Sequence, residues 1–368
     1  MKRRYKILNG VLASLVLIIG AGMIWLSHDS ACRPAPSLAA GAPLMKAIVY
    51  HCYGGPAVLK LEDTARPVPA DDGVLVKVQA ASLNPLDWHY LRGTPYIVRM
   101  EAGVGAPQDM RLGVDFAGTV EAVGKDVKRF KAGDEVFGGV NGAFAQYVTL
   151  SEQKSLALKP ANISFEQAAG VPIAAITALQ SLRDEGALKA GQKLLINGAS
   201  GGVGTFAVQI GKALGADVTA VCSTNNVSMV LGLGATHVID YRQQDFTQGS
   251  ERYDLVFDTV GNHSLSDIKR VLTPKGTLIM IGGGSSGNWI GPFMGPLKAL
   301  VYGPLTGHKM TFMLARLNHK DLETLAGMMQ SGQVTPVIDR RYPLSETAAA
   351  IDYLEQGHAR GKVIITLP

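Results

Sequence analysis

The run Asn197-Gly198-Ala199-Ser200-Gly201-Gly202-Val203-Gly204 has the composition and spacing to hold a pyrophosphate. It follows an apolar stretch, Lys193-Leu194-Leu195-Ile196, that reads as a buried strand. It precedes Val203, Phe206, Ala207, Ile210 and Leu214, which fall on one face of a helix. In the order strand, turn, helix, glycines let the backbone approach phosphates, and first-turn N–H groups meet the negative charge. Ala199, Ser200, Gly201, Gly202, Val203 and Gly204 are therefore candidate phosphate-binding residues, with Ala199 where the fingerprint's first glycine would stand. The plainer alternative is a tight turn without a ligand. Discrimination between dinucleotides rests on the end of the next strand, where an NAD site wants a carboxylate for the ribose 2′-OH. That window reads Thr219-Ala220-Val221-Cys222-Ser223-Thr224-Asn225-Asn226, without a carboxylate and without a Lys or Arg. Ser223 and Thr224 can donate to a 2′-phosphate, so NADPH is expected over NADH.

Positioning such a loop requires a parallel sheet. From about residue 192 to 284, short apolar strands (218–222, 237–240, 255–258, 277–281) alternate with helical stretches, the mark of a doubly wound α/β domain. Residues 45 to about 165 read instead as β-rich, with strand-like segments at 74–78, 118–123 and 144–148 separated by Gly and Pro turns. The tail carries a helix through Leu322, Leu325 and Met328, and strand-like Val334–Ile338. A helix with Ser345 as N-cap and Gly357 as terminator follows, then a closing strand at Val363–Ile365 that would return to the first domain. Residues 285–306 are apolar but broken by Gly and Pro. They read as a dimer interface or a substrate-pocket lid, or else as an ordinary core loop.

The formal charge of +5 owes four cations to Lys2, Arg3, Arg4 and Lys6, and no basic stripe interleaved with aromatics appears, which argues against nucleic-acid binding. Those cations precede an apolar run from Ile7 to Leu26, long enough to span roughly 30 Å. The reading is a single-pass membrane anchor over residues 1–26, with a cleaved signal peptide ending near Ser37-Leu38-Ala39 as the alternative. A linker over 27–44 follows. The charge rule places the following domain outside, whereas supply of a nicotinamide cofactor favours the cytoplasmic side; a start at Met45 would remove the segment altogether. Cys32, Cys52 and Cys222 share no motif and read as one linker thiol and two small core residues, giving neither a disulfide framework nor a zinc site.

Four motifs in order, Ala81-Ser82-Leu83-Asn84-Pro85-Leu86-Asp87, Leu112-Gly113-Val114-Asp115-Phe116-Ala117-Gly118, Ala132-Gly133-Asp134-Glu135-Val136-Phe137-Gly138 and the Ala199–Gly204 loop, resemble the medium-chain dehydrogenase/reductase superfamily, in its zinc-free quinone oxidoreductase-like branch. The resemblance covers residues 45 to 368. It implies a GroES-like β-barrel catalytic domain over 45–165, completed by about 312–368, around a Rossmann NADP-binding domain over 166–311. Zinc-dependent members carry a cysteine ligand where this chain has Asn84 and a histidine ligand where it has Val114, and neither replacement is a zinc donor. Asp87, His89 and His51 match no ligand spacing, so no metal is expected. The resemblance places the Asn84 amide in the pocket and Thr177 near the nicotinamide. A loop-capping asparagine and a plain helix residue are the structural alternatives. It also places Gly282, Gly283 and Gly284 beneath the nicotinamide ribose, and Tyr241, with Arg242, near the 2′-phosphate. A tyrosine often stands where this chain has His89; Asp87, His89 and Tyr96 complete the expected substrate pocket.

Without a Lewis acid, reduction of a simple ketone is hard, whereas an activated double bond needs only hydrogen-bond donors for the enolate oxygen. The sequence thus reads as a zinc-independent, NADPH-dependent reductase of small lipophilic quinones, enones or enals, membrane-tethered, with a homodimer as the assembly the resemblance implies. The alternatives are a non-catalytic NADPH-binding sensor or scaffold and a zinc-free alcohol dehydrogenase.

Overall fold

The computed structural model describes residues 14, 17–282, 287–289 and 291–368. Two sheets organise them. The first is a six-stranded, all-parallel sheet in the spatial order His237–Asp240, Asp217–Cys222, Lys193–Asn197, Tyr253–Asp258, Leu272–Met280, Lys309–Phe312. The order reverses between Lys193–Asn197 and Tyr253–Asp258, so a crevice opens at the carboxyl ends of these two strands. Leu194, Leu195 and Ile196 are fully buried, as a strand covered on both faces requires.

The second sheet has seven strands, with Gly73–Ser82 at its centre paired to Asp115–Val123, Tyr147–Ser151 and Lys362–Thr366, all antiparallel. The return of the tail to the first domain is therefore real, and Ile364 lies opposite Ser82. That register sets Lys362 beside the turn that follows Ser82, and the Leu83 N–H donates to the Val363 carbonyl at 3.0 Å.

Several expectations need correction. The single-pass anchor is not supported: among the described residues no helix is long and apolar enough to cross a membrane. The chain at 28–33 packs on the first domain rather than running free as a linker. Cys32 and Cys52 are not separate thiols but a disulfide, with Cα atoms 4.5 Å apart, because residues 28–33 fold back along the first domain. Residues 291–306 form a helix, Gly291–Thr306, despite Pro296 and Pro304 within it. The strand expected at 334–338 begins only at Ile338 and runs to Pro343, because Val334 closes the turn after the helix His319–Gln330, donating to the Met328 carbonyl. Likewise 144–146 forms only bridging contacts, and the strand runs Tyr147–Ser151. The helix expected from Ser345 runs Thr347–Glu355 after a short 3-10 turn.

Candidate active site

The glycine loop leaves the strand Lys193–Asn197 and enters the helix Gly202–Ala213, whose N-cap is Gly201, without a side-chain cap. Its first N–H groups have no capping side chain and face the crevice end of the sheet. Gly204 has no room for a side chain: a Cβ there would lie 2.1 Å from the Gly198 carbonyl oxygen and 2.7 Å from Ala199 Cα. Gly201, by contrast, has only the Gly198 oxygen near, at 3.6 Å. One glycine thus permits close helix–strand packing and another leaves the loop face open, which fits a dinucleotide pyrophosphate. Ala199 is buried and donates to the Val221 carbonyl. Ser200 turns its carbonyl to the Gly361 N–H at 3.0 Å, which ties the loop to the C-terminal segment. Gly282, at φ +128°, has nothing among the described residues within 4 Å of a notional Cβ. Gly283 and Gly284 lie outside the described residues.

At the end of the second strand, Ser223 Oγ accepts from Asn226 Nδ2 at 3.2 Å. Thr224 Oγ1 donates to Asp240 at 2.6 Å, and this bond holds the Asp240 carboxyl below its ordinary range. Tyr241 is exposed beside them, with its backbone N–H on the Cys222 carbonyl. Two residues here escaped the sequence reading. Asp240 arrives from the adjacent parallel strand, opposite Cys222. Arg360 comes from the C-terminal segment, its Nη2 donating to the Asn225 carbonyl at 3.3 Å. It brings a cation to the place where the local sequence has only Asn225 and Asn226.

Asn84 sits at the N-cap of the helix Pro85–Arg92. Its Nδ2 donates to Asp115 Oδ2 at 2.9 Å and its Oδ1 accepts from Lys362 Nζ at 2.6 Å. The second Nδ2 hydrogen has only the Ser82 carbonyl at 3.5 Å, the long limit of a hydrogen bond. Lys362 also donates to the Leu83 carbonyl at 2.8 Å and stands 3.9 Å from Asp115. Asp87 closes the group by accepting the Asn84 N–H at 2.7 Å. All four side chains are buried. Burial pushes Asp115 up to about 6 against the pull of Lys362, and pushes Asp87 up to about 7. It pushes Lys362 down despite both carboxylates. Burial therefore outweighs the mutual attraction for each partner. Lys362 is the residue that no local motif announced; only the pairing of two distant strands places it here.

Asp115 reaches further. Its carboxylate accepts from the Ile173 N–H at 3.1 Å, at the start of the helix Pro172–Leu179, where negative charge suits the helix dipole. Thr177 lies on that helix, buried, with its hydroxyl on the Ile173 carbonyl at 2.7 Å. Asn84 and Thr177 are thus linked through the Asp115 carboxylate and the backbone of Ile173. His89 is half-buried, and burial lowers its basicity. Its Nδ1 lies 2.7 Å from the Thr94 carbonyl, which can only accept, so Nδ1 carries the hydrogen and Nε2 of the neutral ring is bare. Tyr96 stands apart from this group, edge-on to Trp289 with centroids 4.9 Å apart. The two line an open cavity of about 630 Å³ together with Ser27, Gly287 and Asn288.

A GroES-like barrel joined to a dinucleotide-binding sheet, with a glycine loop facing a buried polar group, defines a nucleotide-dependent oxidoreductase. The comparisons with known proteins agree. Residues 70–161 match the alcohol dehydrogenase GroES-like domain, and residues 233–365 match the zinc-binding dehydrogenase family. The NADPH-dependent alkenal/one oxidoreductase of Arabidopsis thaliana is 36% identical, over 87% of this chain and 79% of that protein. The quinone oxidoreductase of Sus scrofa is 32% identical, over 90% of this chain and 100% of that protein. The solved quinone oxidoreductase of Coxiella burnetii superposes with a TM-score of 0.77 at 30% identity, covering 89% of this chain. The chain belongs to the medium-chain dehydrogenase/reductase superfamily, among quinone oxidoreductase-like relatives.

Proposed function

We propose that this chain is a zinc-independent reductase that uses NADPH to reduce quinones and α,β-unsaturated carbonyls. The observation that carries the reading is the Asn84 amide, held between Asp115 and Lys362 at a domain junction that also carries the glycine loop. Zinc independence is supported by donor chemistry. The amide is already engaged on both sides, Val114 is a hydrocarbon, and an ammonium 2.6 Å from Asn84 Oδ1 would repel a divalent cation.

When bound, the dihydronicotinamide supplies hydride to the electron-poor carbon of the acceptor. Asn84, Asp115 and the helix start at Ile173 fix Thr177 and the pocket floor relative to that site. The second Asn84 N–H, weakly held at 3.5 Å, is the side-chain donor left for the developing substrate oxyanion. His89 in its neutral form offers no N–H at Nε2, which supports solvent as the source of the proton that completes reduction. Preference for NADPH is supported by Ser223, Tyr241 and the cation of Arg360. Asp240, next to Thr224, works against it. A homodimer is supported by the helix Gly291–Thr306, which leaves Leu297, Leu300, Val301 and Leu305 exposed.

The test is NADPH oxidation with 1,2-naphthoquinone and with a short enal. Turnover of either establishes the reductase. Tight NADPH binding without oxidation across an acceptor panel marks a sensor, and alcohol-dependent NADP⁺ reduction marks a dehydrogenase.

A further inference from the structure

The segment before the GroES-like domain reaches the open cavity lined by Tyr96 and Trp289. Residues 26–33 lie across the loop 93–105. Ser30 N–H donates to the Gly105 carbonyl at 2.9 Å, and Arg33 N–H donates to the His51 carbonyl at 2.8 Å. Cys32 is bonded to Cys52. The other anchor is Arg99, a buried guanidinium that donates to the Leu26 and His28 carbonyls at 3.2 and 3.1 Å and pairs with Asp29 at 2.8 Å. Arg99 also donates to the Gly93 carbonyl and sits 4.6 Å from the ring centres of both Tyr53 and Tyr96. One cation therefore grips the N-terminal segment on one side and stacks on a pocket aromatic on the other. Beyond it, Ser27 faces the same cavity as Tyr96, Asn288 and Trp289.

We propose that residues 26–33 are a strap that forms the outer wall of the acceptor pocket and limits the size of the acceptor, with Arg99 as its positioning residue and the Cys32–Cys52 bridge as its latch. The proposal rests on the reductase reading for its substrate class. The bridge is the covalent restraint on the strap, whereas Asp29, the charged partner of Arg99, is 68% exposed, and such pairs hold weakly. Reduction by a dithiol takes the bridge up as the reagent's own disulfide and leaves two thiols at Cys32 and Cys52, freeing the strap without touching the nucleotide loop.

The experiment compares kcat/KM for a short enal with that for a naphthoquinone carrying a long alkyl chain. It uses the full chain before and after dithiol treatment, and the variants C32S/C52S and S27W. Opening the latch is expected to raise the bulky-to-small ratio by about tenfold, the scale on which pocket walls discriminate. S27W, which adds bulk at the cavity edge, is expected to lower the ratio. A ratio unmoved by reduction, by C32S/C52S and by S27W overturns the strap. Absence of turnover with both acceptors overturns the reductase reading instead. Amide hydrogen exchange then decides the wall. If the bulky quinone protects Tyr96 and Trp289 together with 26–33, the wall stands; if it protects Tyr96 and Trp289 alone, the wall falls.

Discussion

Replacing Lys362 by Met tests the buried polar group directly. The stem is kept and only the ammonium is lost. Two acceptors, the Leu83 carbonyl at 2.8 Å and Asn84 Oδ1 at 2.6 Å, are then left unpaired in a buried site. Each costs about 1–3 kcal/mol, so the loss is about 2–6 kcal/mol before any relief. Relief comes from no longer desolvating the ammonium, a term large enough to hold Lys362 below its ordinary value. We expect a net destabilisation of about 2–4 kcal/mol near neutral pH, a large part of a typical domain's stability. The pH dependence is the sharper signature. Asp115 titrates at about 6 with Lys362 beside it, and without that cation it rises further. At pH 5 Asp115 is mostly protonated in both proteins, and the wild type bears the full cost of a buried ammonium. At pH 8 the wild type holds an ion pair, whereas the variant holds an uncompensated carboxylate or a displaced proton. The penalty must therefore grow from pH 5 to pH 8, measured by urea unfolding followed by circular dichroism. A penalty that is constant or shrinking over that range would refute the electrostatic account of the site.

Three further outcomes follow from the geometry. Gly204→Ala drives a methyl to 2.1 Å from the Gly198 oxygen, so the loop must shift; NADPH binding, titrated by fluorescence, should weaken by at least roughly tenfold, about 1.4 kcal/mol. Arg360→Ala removes the exposed cation at Asn225, so KM for NADPH should rise about fivefold, near 1 kcal/mol, while KM for NADH stays unchanged. Asp87 is raised from 3.8 to about 7 by burial, so the fold retains a proton that the unfolded chain has lost. That contribution is complete below about pH 4 and disappears as pH rises through about 7, so wild-type stability should decline over this interval and Asp87→Asn should flatten the profile. Parallel wild-type and variant profiles would count against the assignment.

What the sequence disclosed is what is local. The Ala199–Gly204 turn lies between its own strand and helix, and its glycines are dictated by contacts within a few residues, so composition and spacing sufficed. Asn84 was legible for the same reason: it caps the helix it precedes, and its motif neighbours include Asp87. Lys362 was not, because it meets Asn84 only through a strand pairing across 278 positions. Arg360 and Asp240 reach the nucleotide site by the same kind of distant alignment. The Cys32–Cys52 bridge was missed because spacing alone does not show that a polar segment doubles back, and the helix Gly291–Thr306 was missed because prolines at 296 and 304 mask a helical pattern. The apolar run at 7–26 suggested a membrane span, yet among the described residues no helix is long and apolar enough to cross one, because hydropathy alone does not fix the length of a helix.

The catalytic sheet has a consequence for synthesis. Gly73–Ser82 needs Lys362–Thr366 as its neighbour, yet the whole parallel-stranded unit is translated between them. On the ribosome the nucleotide-binding half can therefore mature as a unit while the barrel waits with an open edge. The clustering of Asn84, Asp115 and Lys362 is assembled only when that edge is filled, which ties closure of the barrel to the completion of this buried polar group.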